Sequence, residues 1–298
     1  MSSIATKVRV KSVNRWMELL KIRSEKERGQ YIGNSFAMIQ RPTQGIVHYY
    51  RGQLDSMLPL QTSLERFCSK RGLDWGNERE IILLERIMHQ RFKEMVSELV
   101  KTESPLPENT LEWEMKMRHY GLPSRLLDVS KNYRTALYFA CWQGDADFAV
   151  WEFRCNLLDS FSATSPIVFV SPQRYFDDRI QAQEGAFIRQ NSIGRSFSEA
   201  ISVAFNIESL VYMRNGGDLT NDTRYEDIAY KDSKIVKWVF PSDLRSQTKE
   251  SLRNEDHFGK TLFPDISGVV ETIMTNVEAN DFTRDTGNSL FQDTLDGH

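Results

Sequence analysis

The chain reads as an α+β protein with a helix-rich N-terminal half and a strand-rich C-terminal half. Three observations carry that reading. Residues 76–100, GNEREIILLERIMHQRFKEMVSELV, repeat apolar side chains at helical spacing over several turns. From residue 146 the pattern turns to short β-branched and aromatic runs such as DFAVWEFRC and SPIVFVSP, which suit buried strands. No internal repeat and no low-complexity linker separates the two halves, so residues 1–278 read as one domain, with a polar, mobile tail over 279–298.

Each element follows from a local signal. TKVRVK, residues 6–11, alternates polar and apolar and predicts a short strand. Ser12 then suits the N-cap of a helix through VNRWMELLKIRSE, where Val13, Trp16, Met17 and Leu20 fall at helical spacing. GIVHYYRGQ at 45–53 is a β-branched and aromatic strand ending near Arg51-Gly52. A helix is expected from about Gln61 to Lys70, followed by the long helix over 76–100, which the prolines of TESPLPEN end. A further helix runs from about Leu111 to Tyr120 and stops at Gly121. SRLLDVS is extended or a turn. NYRTALYFACW is then a helix with Ala136, Leu137, Phe139 and Ala140 on or near its buried side. AQEGAFIRQ and DSKIVKWVFP read as strands, SDLRSQTKESLRNE as a helix capped by Ser242, and GVVETIMTNVE as the last helix.

Bulk properties narrow the function. With 40% apolar and 27% charged residues the chain has material for a sizeable core. A net charge of -3 gives no bulk attraction to nucleic acid or to an anionic membrane, although a local basic patch is compatible with it. Cys68, Cys141 and Cys155 are odd in number and widely spaced, which argues against a disulfide framework or a zinc site, and the five histidines form no paired metal motif. The start MSSIATKVRVKSVNRW lacks an apolar run of signal-peptide length, and no stretch approaches the ~18 apolar residues of a membrane span, so the cytosol is the expected location.

Three stretches hold side chains suited to chemistry. In YYRGQ, Arg51 ends a strand and suits bidentate capture of phosphate or carboxylate, and Gly52 permits close approach by a ligand or by another segment. The bland alternative is an Arg paired with a helix carboxylate. In HYGLPSRLLDVS, His119, Tyr120, Arg125, Asp128 and Ser130 crowd the entrance to a helix, whose N-terminus favours an anion. Ser130 also reads as a plain N-cap, and Asp128 as the partner of Arg125 or of a loop amide. In DDRIQAQEGAFI, alternation sets Gln181 and Gln183 on one face and Glu184 on the other, unless a bulge at Gly185 intervenes; a solvated polar edge strand is the alternative.

These stretches carry a family resemblance. YYRGQ at 49–53, HYGLPSRLLDVS at 119–130, ALYFA at 136–140, RIQAQEGAFI at 179–188 and TLFPD at 261–265 together resemble the FRG-domain family, in order and over roughly residues 8–275. The family pattern has Thr where this chain has Ser124 and Trp-Thr where it has Val129-Ser130, so the hydroxyls are kept and the aromatic is not. The resemblance implies a bacterial setting in mobile elements or phage defence, as a toxin or effector.

The same motifs are similar to those of ADP-ribosyltransferases of the Arg, Ser-Thr-Ser, Glu-x-Glu type. That similarity implies a split sheet and NAD as substrate. Arg51 holds the pyrophosphate or nicotinamide-ribose side, with Gly52 and Gln53 beside it, and Ser130 orients Glu184 or the ribose. Tyr120 or Tyr138 stacks on nicotinamide, and Glu184 stabilises the oxocarbenium-like transition state. Small nucleotides, with a protein or nucleic-acid acceptor, are the implied partners. The family pattern centres on Gln-x-Gly, so either Gln183 or Glu184 takes the catalytic position. If it is Gln183, the chain binds a nucleotide without turning it over, as a sensing module. A nuclease or other hydrolase using Asp128 and Glu184 lacks the carboxylate cluster that a metal would need.

Overall fold

The computed structural model describes residues 4–23, 46–99, 107, 109–156, 164–172, 178–208, 210, 213–223 and 233–278. Strands β1 (Ile4–Val10), β2 (Ile46–Gln53), β3 (Leu126–Ser130), β4 (Phe148–Asn156), β5 (Ile167–Val170), β6 (Gly185–Gln190), β7 (Arg214–Leu219) and β8 (Ser233–Phe240) form one mixed sheet. Its order is β5-β6-β3-β2-β4-β8-β1-β7. The helices are α1 (residues 13–23), α2 (Ser63–Lys70), α3 (Glu78–Leu99), α4 (Thr110–His119), α5 (Tyr133–Cys141), α6 (Asp178–Ala182), α7 (Phe197–Phe205), α8 (Arg245–Asn254) and α9 (Ile266–Glu278). The architecture is α+β. The polar segment from Ala279, the end of the first predicted helix beyond residue 23 and most of TESPLPEN lie outside the described residues.

Helices cover both faces of the sheet. On one face α1, α5 and α8 bury Trp16, Leu20, Leu137 and Leu252 against Tyr50, Trp238 and Phe240. Trp16 is the hub, edge-on to Tyr133, Trp238 and Phe240. Each such side chain contributes about 1.5–3 kcal/mol by leaving water. On the other face α7 buries Phe197 and Ile201 with Tyr49, Val129, Trp151 and Phe153. A smaller cluster joins α2 to α3 through Leu64, Cys68 and Ile81.

One buried charge group ties the end of α1 to the sheet. Glu152 on β4 accepts from Arg23, from Trp238 Nε1 at 2.9 Å, and lies 2.8 Å from His48 Nδ1. Burial pushes the Glu152 carboxyl up, but Arg23 and His48 outweigh burial and hold it below the usual carboxylate range.

The sheet is nearly parted in one place. β2 pairs with β4 along its whole length, yet meets β3 through the single pair Tyr50↔Ser130. β3 and β6 then pair fully, from Leu126↔Arg189 to Ser130↔Gly185.

Three expectations are corrected. The strand read into AQEGAFIRQ begins only at Gly185; Asp178–Ala182 is helix and Gln183-Glu184 a turn, so strand alternation does not govern Gln181, Gln183 and Glu184. Contacts to the TLFPD stretch hold that helical turn, because Arg179 pairs with Asp265 and Gln183 Nε2 donates to the Leu262 carbonyl at 3.1 Å. Phe139 is 39% exposed: the buried stripe of α5 runs through Tyr133, Ala136, Leu137, Ala140 and Cys141, and Phe139 falls off it. Ser242 starts a short 3-10 turn before α8 and makes no capping bond, its amide donating to Asp147 instead.

Candidate functional site

Arg51 lies where the sheet parts. By strand alternation Tyr50 and Gly52 face α5 while Tyr49, Arg51 and Gln53 face the other way. Gly52 is required by packing, since a Cβ there would sit 2.0 Å from the Ala136 carbonyl oxygen and 2.7 Å from the Ala140 nitrogen. Past the Tyr50↔Ser130 pair the backbones of β2 and β3 no longer pair, and the Arg51 guanidinium takes over. Its Nη1 donates to the Asp128 carbonyl at 2.7 Å and lies 3.7 Å from the Asp128 carboxylate. Burial lowers the Arg51 pKa to about 10, with Asp128 opposing the shift, so Arg51 is a cation at neutral pH.

Asp128 gathers further cations. Arg118 at the end of α4 grips both its carboxylate oxygens, through Nε at 3.2 Å and through Nη2. Burial works to raise the Asp128 pKa, and Arg118 and Arg51 outweigh it, so the pKa is lowered. Arg66 on α2 faces the same group, its pKa lowered by burial first and by Arg118 second. Among the described residues its guanidinium makes one hydrogen bond, from Nη1 to the Gln61 carbonyl at 2.6 Å.

The second half of the site is built by the turn before β6. Ser130 is not the cap of α5. Its hydroxyl donates to the Gln183 carbonyl at 2.7 Å and accepts from the Asn132 amide at 2.9 Å. The cap is Asn132, whose Oδ1 accepts from the Arg134 amide at 3.0 Å and whose Nδ2 donates to Glu184 Oε1 at 2.8 Å. Glu184 adopts φ 48, a left-handed conformation that disfavours a side chain, and its carboxylate is exposed. Gln183 differs: its amide is committed to Leu262 and it is half-buried.

The remaining predicted residues have other engagements. Gln53 is buried, donates to the Leu58 and Pro59 carbonyls and accepts from Trp151. Arg125 pairs with Glu85 at 2.8 Å and donates to the Asn191 carbonyl, so it ties α3 to the end of β6 and is not the partner of Asp128. Tyr138 is 3% exposed, stacks on Trp142 and donates to Glu271. That leaves Tyr120, 68% exposed and edge-on to His119, as the aromatic of the pair that meets solvent; His119 is exposed as well. Cys68, Cys141 and Cys155 are buried and form no disulfide among the described residues, and burial pushes the Cys141 thiol up to about 12. Among the described residues no group of three His, Cys, Asp or Glu side chains is placed to hold a metal ion. No helix among them is long and apolar enough to cross a membrane.

Sequence reasoning passed over Arg66, Arg118 and Asn132. Arg118 stands directly before HYGLPSRLLDVS, and Asn132 directly before the apolar helix, where a capping residue is expected. Arg66 has no signal in the sequence, because only the packing of α2 brings it to the others.

The family model for the FRG domain matches residues 47–147 and supports the FRG-domain family. The matched stretch runs from β2 past α5, so it contains Arg51, Arg66, Arg118, Asp128 and Ser130, and ends before Gln183 and Glu184. No curated protein and no solved structure matches the chain.

Proposed function

We propose that the chain binds NAD and breaks its nicotinamide–ribose bond, as an ADP-ribosyltransferase or an NAD glycohydrolase. The observation that carries this reading is the adjacency of three residues. Arg51, Ser130 and Glu184 lie at three neighbouring strands, through the pairs Tyr50↔Ser130 and Ser130↔Gly185. Two strand spacings, about 10 Å across the sheet, separate the Arg51 and Glu184 backbones, and in this reading the ligand lies over the parting, where the Arg51 guanidinium sits between β2 and β3.

In this reading Arg51 holds the pyrophosphate side and Tyr120 covers the nicotinamide. Glu184, fixed by Asn132 and needing only to be ionised, stabilises the positive charge that grows on the ribose as the C1′–N bond breaks and its electron pair leaves with nicotinamide. Water or an acceptor side chain then bonds to C1′ and gives up its proton. Ser130 acts indirectly, by fixing the Gln183 carbonyl and thus the turn that presents Glu184. The exposure of Glu184 and the engagement of the Gln183 amide favour Glu184 as the catalytic group.

A non-catalytic nucleotide-binding module is the second reading, favoured by the family match ending before Glu184. Kinetics separate the two. Arg51→Lys keeps the charge and loses the fork, so the first reading predicts a higher KM for NAD with kcat less affected. Glu184→Gln is predicted to lower kcat about 100-fold or more with NAD binding retained. A wild-type protein that binds NAD and releases no nicotinamide establishes the second reading.

A further inference from the structure

We infer that Arg66 and Arg118 join Arg51 in one anion site that takes the pyrophosphate group of a nucleotide, with Asp128 as its resident counter-ion. This rests on the nucleotide-binding part of the reading above and not on its bond-breaking step. Arg51 and Arg118 meet at Asp128 and Arg66 neighbours them electrostatically; the three come from separate elements, β2, α4 and α2, so the cluster is a property of the fold and not of one helix face. Arg118 holds Asp128 through Nε and Nη2, and its Nη1 is the nitrogen left to meet a phosphate oxygen. Arg51 spends one donor on a backbone carbonyl. Arg66 has only the neutral Gln61 carbonyl as acceptor and no carboxylate within 4 Å among the described residues.

The charge balance points to the class of ligand. Three cations face Asp128, leaving an excess of two. Glu65 also neighbours Arg66, but its carboxylate is turned to the start of α7, where it accepts from the Phe197 amide at 3.2 Å. The cations repel one another: behind burial, Arg66 and Arg118 both lower the Arg51 pKa, and Arg118 lowers that of Arg66. A pyrophosphate diester carries two negative charges and cancels that excess. Arg also suits it better than Lys, because each fork spans two oxygens.

The test is calorimetric binding of ADP-ribose, which holds the pyrophosphate and has no nicotinamide bond to break, with adenosine as the uncharged control. The wild-type chain is expected to bind ADP-ribose at least about tenfold more tightly than adenosine, and Arg66→Gln to weaken ADP-ribose about tenfold or more. Arg118→Lys is the second variant, which keeps an ion pair to Asp128 but loses the fork; it too is expected to weaken ADP-ribose. Folded variants that bind ADP-ribose like wild type, or a wild type that does not distinguish ADP-ribose from adenosine, overturn the inference. The two claims fail separately. Tight ADP-ribose binding without nicotinamide release from NAD sinks only the enzymatic reading. Release whose KM is indifferent to Arg66→Gln sinks only the three-arginine site.

Discussion

Glu184 carries two opposed demands at one residue. Its left-handed backbone costs about 1 kcal/mol for any residue with a Cβ, and among the described residues its exposed carboxylate makes one hydrogen bond, to Asn132. Glu184→Gly is therefore expected to be at least as stable as wild type, by up to about 1 kcal/mol in denaturant titration, while losing nicotinamide release. A clearly destabilised glycine variant would mean that the carboxylate holds the turn and is not kept for chemistry. Gly52 is the reverse case. A Cβ at that position strikes the Ala136 carbonyl of α5, which is backbone and cannot swing aside. Gly52→Ala should cost about 3 kcal/mol or prevent folding, read as a large drop in the thermal midpoint. The Arg-Gly of the motif thus divides its work between Arg51 at the parting and Gly52 against the helix.

At the scale of elements, α5 is fixed at both ends: at its C-terminus Arg245 of α8 donates to the Ala140 and Cys141 carbonyls. Its N-terminus is capped by Asn132, which also reaches Glu184, so Asn132→Ala should cost about 1 kcal/mol and disturb the presentation of Glu184. Its Thr135 hydroxyl lies 3.1 Å from His257 Nε2, beyond α8. Burial pushes His257 down to about 4, and Arg134 adds to the push. Between about pH 6.5 and pH 4 the unfolded chain binds a proton that the folded chain refuses, so stability falls as the pH drops through that range. His257→Gln should flatten that part of the profile in denaturation measured from pH 7 to 4; an unchanged slope would contradict it. Elements with strong local patterns were legible in the sequence: the aromatic strand β2, the long helix α3 and the apolar strands β4 and β8. Two were passed over. α7 has a readable capping box, Ser196 with Glu199, ahead of its apolar run. β7, Arg-Asn-Gly-Gly-Asp-Leu, has no alternation to read and becomes a strand because β1 offers it a parallel edge. The turn at Gln183-Glu184 was misread as strand because its shape is set by distant partners, Arg179 on Asp265 and Gln183 on Leu262, which no local window contains.

Over the whole molecule, both halves of the chain contribute to one sheet, with β1 wedged between β7 and β8 near its far edge. That interleaving predicts a single cooperative unfolding transition, with circular dichroism and tryptophan fluorescence coinciding. Arg51 and Ser130 come from the first half and Glu184 from the second, so the site is complete only when the sheet has closed across β2, β3 and β6. The family match covers the arginine side of this arrangement and ends before Gln183 and Glu184. The most direct test is the time course of free nicotinamide when the purified chain is incubated with NAD, with Glu184→Gln beside it. Nicotinamide release by the wild type, lowered about 100-fold or more by Glu184→Gln, is the predicted result. No release by a folded wild type, or equal release by Glu184→Gln, would contradict the assignment of Glu184 as the residue that breaks the nicotinamide bond.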